Sequence, residues 1–141
     1  MKLLLFTACC LLTWPALAAE ADQRRVLFDY QMSCQGCHTP DGSGTVGVPG
    51  MKDHVGVFLN SDEGREYLVR VPGSATSALS DARLAAVLNW MITAFAGDSL
   101  EEPLEPYTAA EVGRLRQQPL NEVDHHRARL LQDLARATNR E

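Results

Sequence analysis

Cys34-Gln35-Gly36-Cys37-His38 sets two thiols three positions apart, with an imidazole directly behind the second. C-x-x-C-H is the spacing of covalent haem attachment. Each thiol adds to one vinyl group of the porphyrin and forms a thioether. The two-residue spacer, with Gly36 in it, lets the backbone wrap the edge of the macrocycle. His38 then projects under the iron as the proximal ligand. Other readings of the pair explain less. A thioredoxin-like couple would need a βαβ setting. A zinc site would need a second cysteine pair, and His54, His125 and His126 stand at no recognised zinc spacing. A Cys34–Cys37 disulfide would close so tight a loop that it would stabilise little.

Outward from this motif, three blocks carry pattern. Asp22 to Met32 reads as an amphipathic helix running into Cys34, with Tyr30 four residues before that thiol. Thr39 to Pro49 is rich in glycine. Leu79 to Ile92 reads as a second amphipathic helix: Ser80 is its N-cap and Asp81 a carboxylate in its first turn. Leu84, Val87, Leu88 and Met91 fall at i, i+3, i+4 and i+7. Over Asp22 to Ala96 the chain resembles class I cytochrome c domains. The resemblance implies an all-α, cytochrome c-like fold around one covalently bound haem c per chain. It implies that the two helices cross, with Trp90 at the crossing. It also implies that the Pro49 carbonyl accepts the Nδ1 proton of His38, which would fix the ring and tune the iron.

One departure from the family pattern bears on the iron's other face. The family usually supplies a distal Met from the loop before its last helix. Leu68 to Ala78 contains neither Met nor His, and Val71-Pro72 stands where Met-Pro is expected. Valine cannot coordinate iron. Met51 is then the best single candidate for a distal ligand, although by resemblance its position usually holds a leucine packed on the haem. His54 comes next. Met91 and Met32 read as helix packing. An iron with an open sixth position is the remaining option.

The N-terminus reads as an export signal. Lys2 is followed by an apolar run from Leu3 to Leu12, a break at Pro15, and the small-x-small site Ala16-Leu17-Ala18. The run falls short of the ~20 residues of a transmembrane helix. A lipoprotein site at Phe6-Thr7-Ala8-Cys9 would discard the better-formed cleavage site. The expected organisation is a cleaved signal peptide over 1–19, a cytochrome c-like domain over 20–97 and an extension over 98–141. Gly97 suits a helix C-cap. Glu101 to Pro106 is an acidic connector containing two prolines. Thr108 should cap a helix reaching Gln118, with Glu111 at the capping-box position. Leu120 to Ala137 reads as a last helix. Val123, Leu130, Leu131 and Leu134 are its apolar members, and Arg127, Arg129 and Arg136 its solvated face. Asn60 or Ser61 should cap a helix over Asp62 to Val69.

Composition narrows the function class. The 141 residues carry a net charge of −5, with lysine only at positions 2 and 52 and no basic run. A nucleic-acid platform is excluded on that ground. The expectation is a periplasmic one-electron carrier with no transmembrane segment and no catalytic residues. Its redox partners would be separate chains, such as a dehydrogenase or another cytochrome. The alternative is a haem protein with an open distal site, acting as a small-ligand sensor or peroxidase-like enzyme. A single C-x-x-C-H excludes a dihaem peroxidase in this chain.

Overall fold

A computed structural model describes residues 14–101 and 103–138. The expected signal segment falls outside them up to residue 13. Seven α-helices appear among the described residues: α1 (Trp14–Ser33), α2 (Gln35–His38), α3 (Asp62–Arg70), α4 (Pro72–Ala75), α5 (Asp81–Phe95), α6 (Ala109–Leu115) and α7 (Val123–Thr138). A 3₁₀ helix spans Val55–Asn60. The described residues hold no β-strand, only an isolated bridge between Thr45 and Val48. The fold is all-α, as expected.

Helices α1 and α5 cross and form one wall of the core. The Tyr30 and Trp90 rings lie 4.9 Å apart and Tyr30 and Phe95 5.6 Å apart, so the crossing is aromatic where it was expected to be. Asp29 of α1 is buried and accepts from both Nε and Nη2 of Arg83 on α5, the first at 2.8 Å. The described part of α1 starts at Trp14 rather than Asp22. Ala16 to Ala21 contains strong helix formers and nothing that would stop a helix. Pro15, read as a break, lies within the described part of α1. Helix α5 begins where Ser80 accepts from the Arg83 N–H, and it buries Leu84, Val87, Leu88, Met91 and Ile92.

Ser61, not Asn60, caps α3, accepting from the Gly64 N–H at 3.1 Å. Helix α3 rests directly on the 3₁₀ turn. A Cβ on Gly64 would lie 2.0 Å from the Phe58 carbonyl oxygen, so only glycine permits this approach.

The extension folds back on the domain. Asn89 of α5 clasps the Tyr107 backbone through two hydrogen bonds of 2.7 and 3.0 Å. Tyr107, Val112 and Leu115 join the main core. Thr108 caps α6 as expected. The capping box is half made: the Glu111 carboxylate turns to Arg65 and takes two bonds, at 2.7 and 2.9 Å. Helix α6 ends at Leu115, short of Gln118. The next residue, Arg116, bonds the carbonyls of Ala75, Ser77 and Leu79. Helix α7 begins at Val123 rather than Leu120, whose N–H is taken by the Arg70 carbonyl at 2.9 Å. Leu130 and Leu134 of α7 then form a second cluster with Phe58 and Tyr67.

Candidate cofactor site

Helix α1 ends one residue before the paired thiols. The Cys34 N–H still bonds the Tyr30 carbonyl at 2.8 Å, and the His38 N–H bonds Cys34 O at 3.0 Å. The motif is therefore a single helical turn. Thr39 leaves it with φ +64°, and the buried Tyr30 hydroxyl donates to the Thr39 carbonyl. Burial and the nearby Cys34 and Asp41 push the Tyr30 phenol up to about 12, so it remains a donor. The Gly-rich loop then doubles back beside the turn. The His38 carbonyl accepts from Gly44 N–H at 3.2 Å, and the Gly42 carbonyl accepts from Met51 N–H at 2.7 Å. Gly44 has φ +78°, and a Cβ there would meet Val48 O at 2.4 Å.

Cys34, Cys37, His38, Pro49 and Met51 all line one cavity of about 440 Å³. That volume lies in the range of cofactor sites, roughly 300–1,000 Å³. Neither cysteine is in a disulfide; Cys34 is half-buried and Cys37 exposed. Burial, with Asp29 and Cys37 nearby, raises the Cys34 thiol above its ordinary value. His38 is pulled down by burial, which the Pro49 backbone opposes. It is thus a neutral imidazole near pH 7, the form that binds a metal. The Pro49 backbone is near enough to act on the ring, yet Nδ1 falls short of hydrogen-bond geometry and is buried without a partner. Two free thiols, a neutral imidazole and an apolar enclosure fit a covalently held haem.

The remaining wall comes from four regions. Helix α5 gives Leu84, Val87, Leu88, Met91 and Ile92; the 3₁₀ turn gives Val55 and Phe58. Tyr67 to Ser74 contributes Leu68, Val71, Pro72 and Gly73, none able to coordinate iron. Met91, read as packing alone, also reaches the cavity. His54 does not line it; its ring stands edge-on to Phe58 at 5.8 Å. Met32 is 70% exposed rather than packed.

The fourth region escaped the sequence reading. Val123, Asp124 and Arg127 of α7 complete the lining. Arg127, expected on a solvated face, is half-buried, with its guanidinium 5.8 Å from the centre of the Phe58 ring. Val123, Arg127, Leu130 and Leu134 fall at i, i+4, i+7 and i+11, one helical stripe. An arginine inside an apolar stripe is passed over by hydrophobic periodicity, which weighs apolar residues alone. Tyr67, also unassigned, stacks between Phe58 at 4.9 Å and His126 of α7 at 5.9 Å.

No family model and no solved structure matches the chain. Two curated relatives do, both named cytochrome c-552 and both from Thermus thermophilus. One is 32% identical over 121 aligned residues, covering 72% of this chain and 79% of the relative. The other is 34% identical over 106 residues, covering 62% of this chain and 81% of the relative. With identity of that extent joined to an all-α fold and a cavity suited to haem c, the chain belongs to the class I c-type cytochromes, electron carriers that hold their haem covalently.

Proposed function

We propose that this cytochrome is an exported, periplasmic carrier of single electrons, with one haem c per chain held by Cys34 and Cys37 and His38 as proximal iron ligand. The observation that carries the reading is the convergence of both free thiols and the neutral imidazole on one apolar cavity. Bound haem c supplies a one-electron iron couple. The protein's part is to hold it, orient His38 and keep water away. Pro49 would accept the Nδ1 proton of His38 after a small adjustment of the ring. Leu84, Val87, Leu88 and Ile92 exclude water. Met51 is the first candidate for the distal position. A thioether there would set a higher reduction potential than a second imidazole.

In this reading residues 1–19 are removed on export, 20–97 form the haem domain, and 98–141 an extension that completes its wall. Among the described residues, no helix is long and apolar enough to cross a membrane. The redox partners would be separate chains, a dehydrogenase or another cytochrome. The acidic balance favours partners with a basic contact patch.

The test is the mass and N-terminus of protein purified from the periplasm of a host with the attachment machinery. The expected product starts after Ala18 or Ala19 and carries one haem that survives denaturation. Cys34→Ala and Cys37→Ala should each weaken or abolish that retention. His38→Ala should leave both thiols in place while removing the proximal bond. A matured protein without covalent haem overturns the reading.

A further inference from the structure

Arg127 stands apart from the other arginines. Arg65, Arg70 and Arg116, equally half-buried, each have a carboxylate partner. Among the described residues Arg127 is the half-buried arginine with none. Its neighbours from every packed element are the Phe58 ring, Tyr67, His54 and, on its own helix, Asp124. None of these accepts a bond from it. A guanidinium taken partly out of water without an anion is costly, and an open cavity beside it invites one.

The position selects which anion. Haem c has its thioethers on one edge and its two propionate carboxylates towards the opposite edge. Cys34 and Cys37 fix the thioether edge at α2. Helix α7 packs chiefly on α3 and the 3₁₀ turn, whereas α2 packs on α1, and α1 on α5. Arg127 thus enters the cavity from a different group of elements than the thiols. We propose that Arg127, carried by the C-terminal extension, pairs with a propionate carboxylate of the haem. A guanidinium fork matches a carboxylate in two parallel hydrogen bonds. The extension is on this account part of the cofactor site: α7 docks through Leu130 and Leu134 and presents the counter-charge one turn earlier. Asp124 is exposed at the rim, where water screens it from the same carboxylate.

The inference rests on the haem reading above, and its test separates the two. Holoprotein carrying Arg127→Gln is titrated by spectroelectrochemistry from acid to neutral pH, with covalent haem confirmed by mass. Loss of a cation near the iron favours the ferric state, so the midpoint potential should fall. The freed propionate should titrate at higher pH, so the potential should depend on pH more steeply than in the wild type. Arg127→Lys keeps the charge and should stay close to wild type. Arg114→Gln removes an exposed arginine away from the cavity and should change neither quantity. A potential and pH profile in Arg127→Gln equal to wild type, with haem covalently present, overturns the pairing and leaves the haem reading intact. So does an Arg127→Lys shift as large as that of Arg127→Gln. If Arg127→Gln leaves the redox profile unchanged but weakens azide binding to the ferric iron, the partner is a small anion, and the propionate pairing is overturned. Absence of any covalent haem in the wild type overturns both.

Discussion

Asp29 is 2% exposed, and both of its oxygens are taken by the Arg83 fork. The Arg83 hydrogen bonds and charge hold its carboxyl below the usual aspartate value, against the opposing pull of burial. The folded pKa therefore lies below the unfolded one. Stability from this pair is fully present above the ordinary aspartate range and is lost as pH falls through the depressed folded value. Asp29→Asn should lower Tm by several degrees at neutral pH, and its Tm should fall less steeply on acidification. Thermal unfolding followed by circular dichroism at a series of pH values checks this; parallel slopes for the two proteins would show that Asp29 is not the titrating group. The pair was illegible in the sequence, because Asp29 and Arg83 lie 54 positions apart and each fits an ordinary polar face. The thiols and His38 were legible because their chemistry is local: one turn of helix sets their spacing.

N-terminal capping signals are also local, and three of the four reached the structure. Ser61, Ser80 and Thr108 each accept the expected N-terminal N–H. Glu111 did not close its box, since a bidentate pair with the half-buried Arg65 is stronger than a bond back to a solvated backbone group. Gly64 shows the same limit from the other side. By propensity, glycine weakens α3, and alanine would improve it by about 1 kcal/mol. The contact with Phe58 O reverses that sign. Gly64→Ala must push α3 off the 3₁₀ turn and should destabilise the protein by about 1–3 kcal/mol. Urea unfolding gives the answer directly, and a stabilised variant would refute the close approach. Because Phe58 and Tyr67 both line the cavity, the displaced helix should also perturb the haem absorption spectrum.

At the scale of the molecule, two groups of elements enclose the cavity: α1, α2 and α5, and the 3₁₀ turn, α3, α4 and α7. The first group lies within the stretch that resembles a known family, and the sequence pattern reaches its helices. The second depends on how the extension returns, which is set by long-range bonds such as Arg70 Nε to Gln118 O and by the Leu130–Phe58 cluster. No periodicity encodes that return. It matters for the iron, because the wall from Leu68 to Gly73 offers no thioether or imidazole. The cavity holds two methionine side chains, Met51 at 7% and Met91 at 8% exposure. Met91 is fixed within α5, whereas Met51 stands in a loop and donates its N–H to the Gly42 carbonyl. Against Met51 stands its place two residues after Pro49, on the loop beside His38. The two variants separate these cases. Met51→Ala should lower the midpoint potential, remove the thioether-to-iron charge-transfer band of the oxidised protein and open the ferrous iron to carbon monoxide. Met91→Ala should keep the band and cost about 2–5 kcal/mol of stability as a core truncation. If Met51→Ala leaves band and potential unchanged while Met91→Ala removes them, the ligand comes from α5. If neither variant alters the spectrum and the wild type already binds carbon monoxide rapidly, the sixth position is open, and ligand binding displaces electron transfer as the function of this iron.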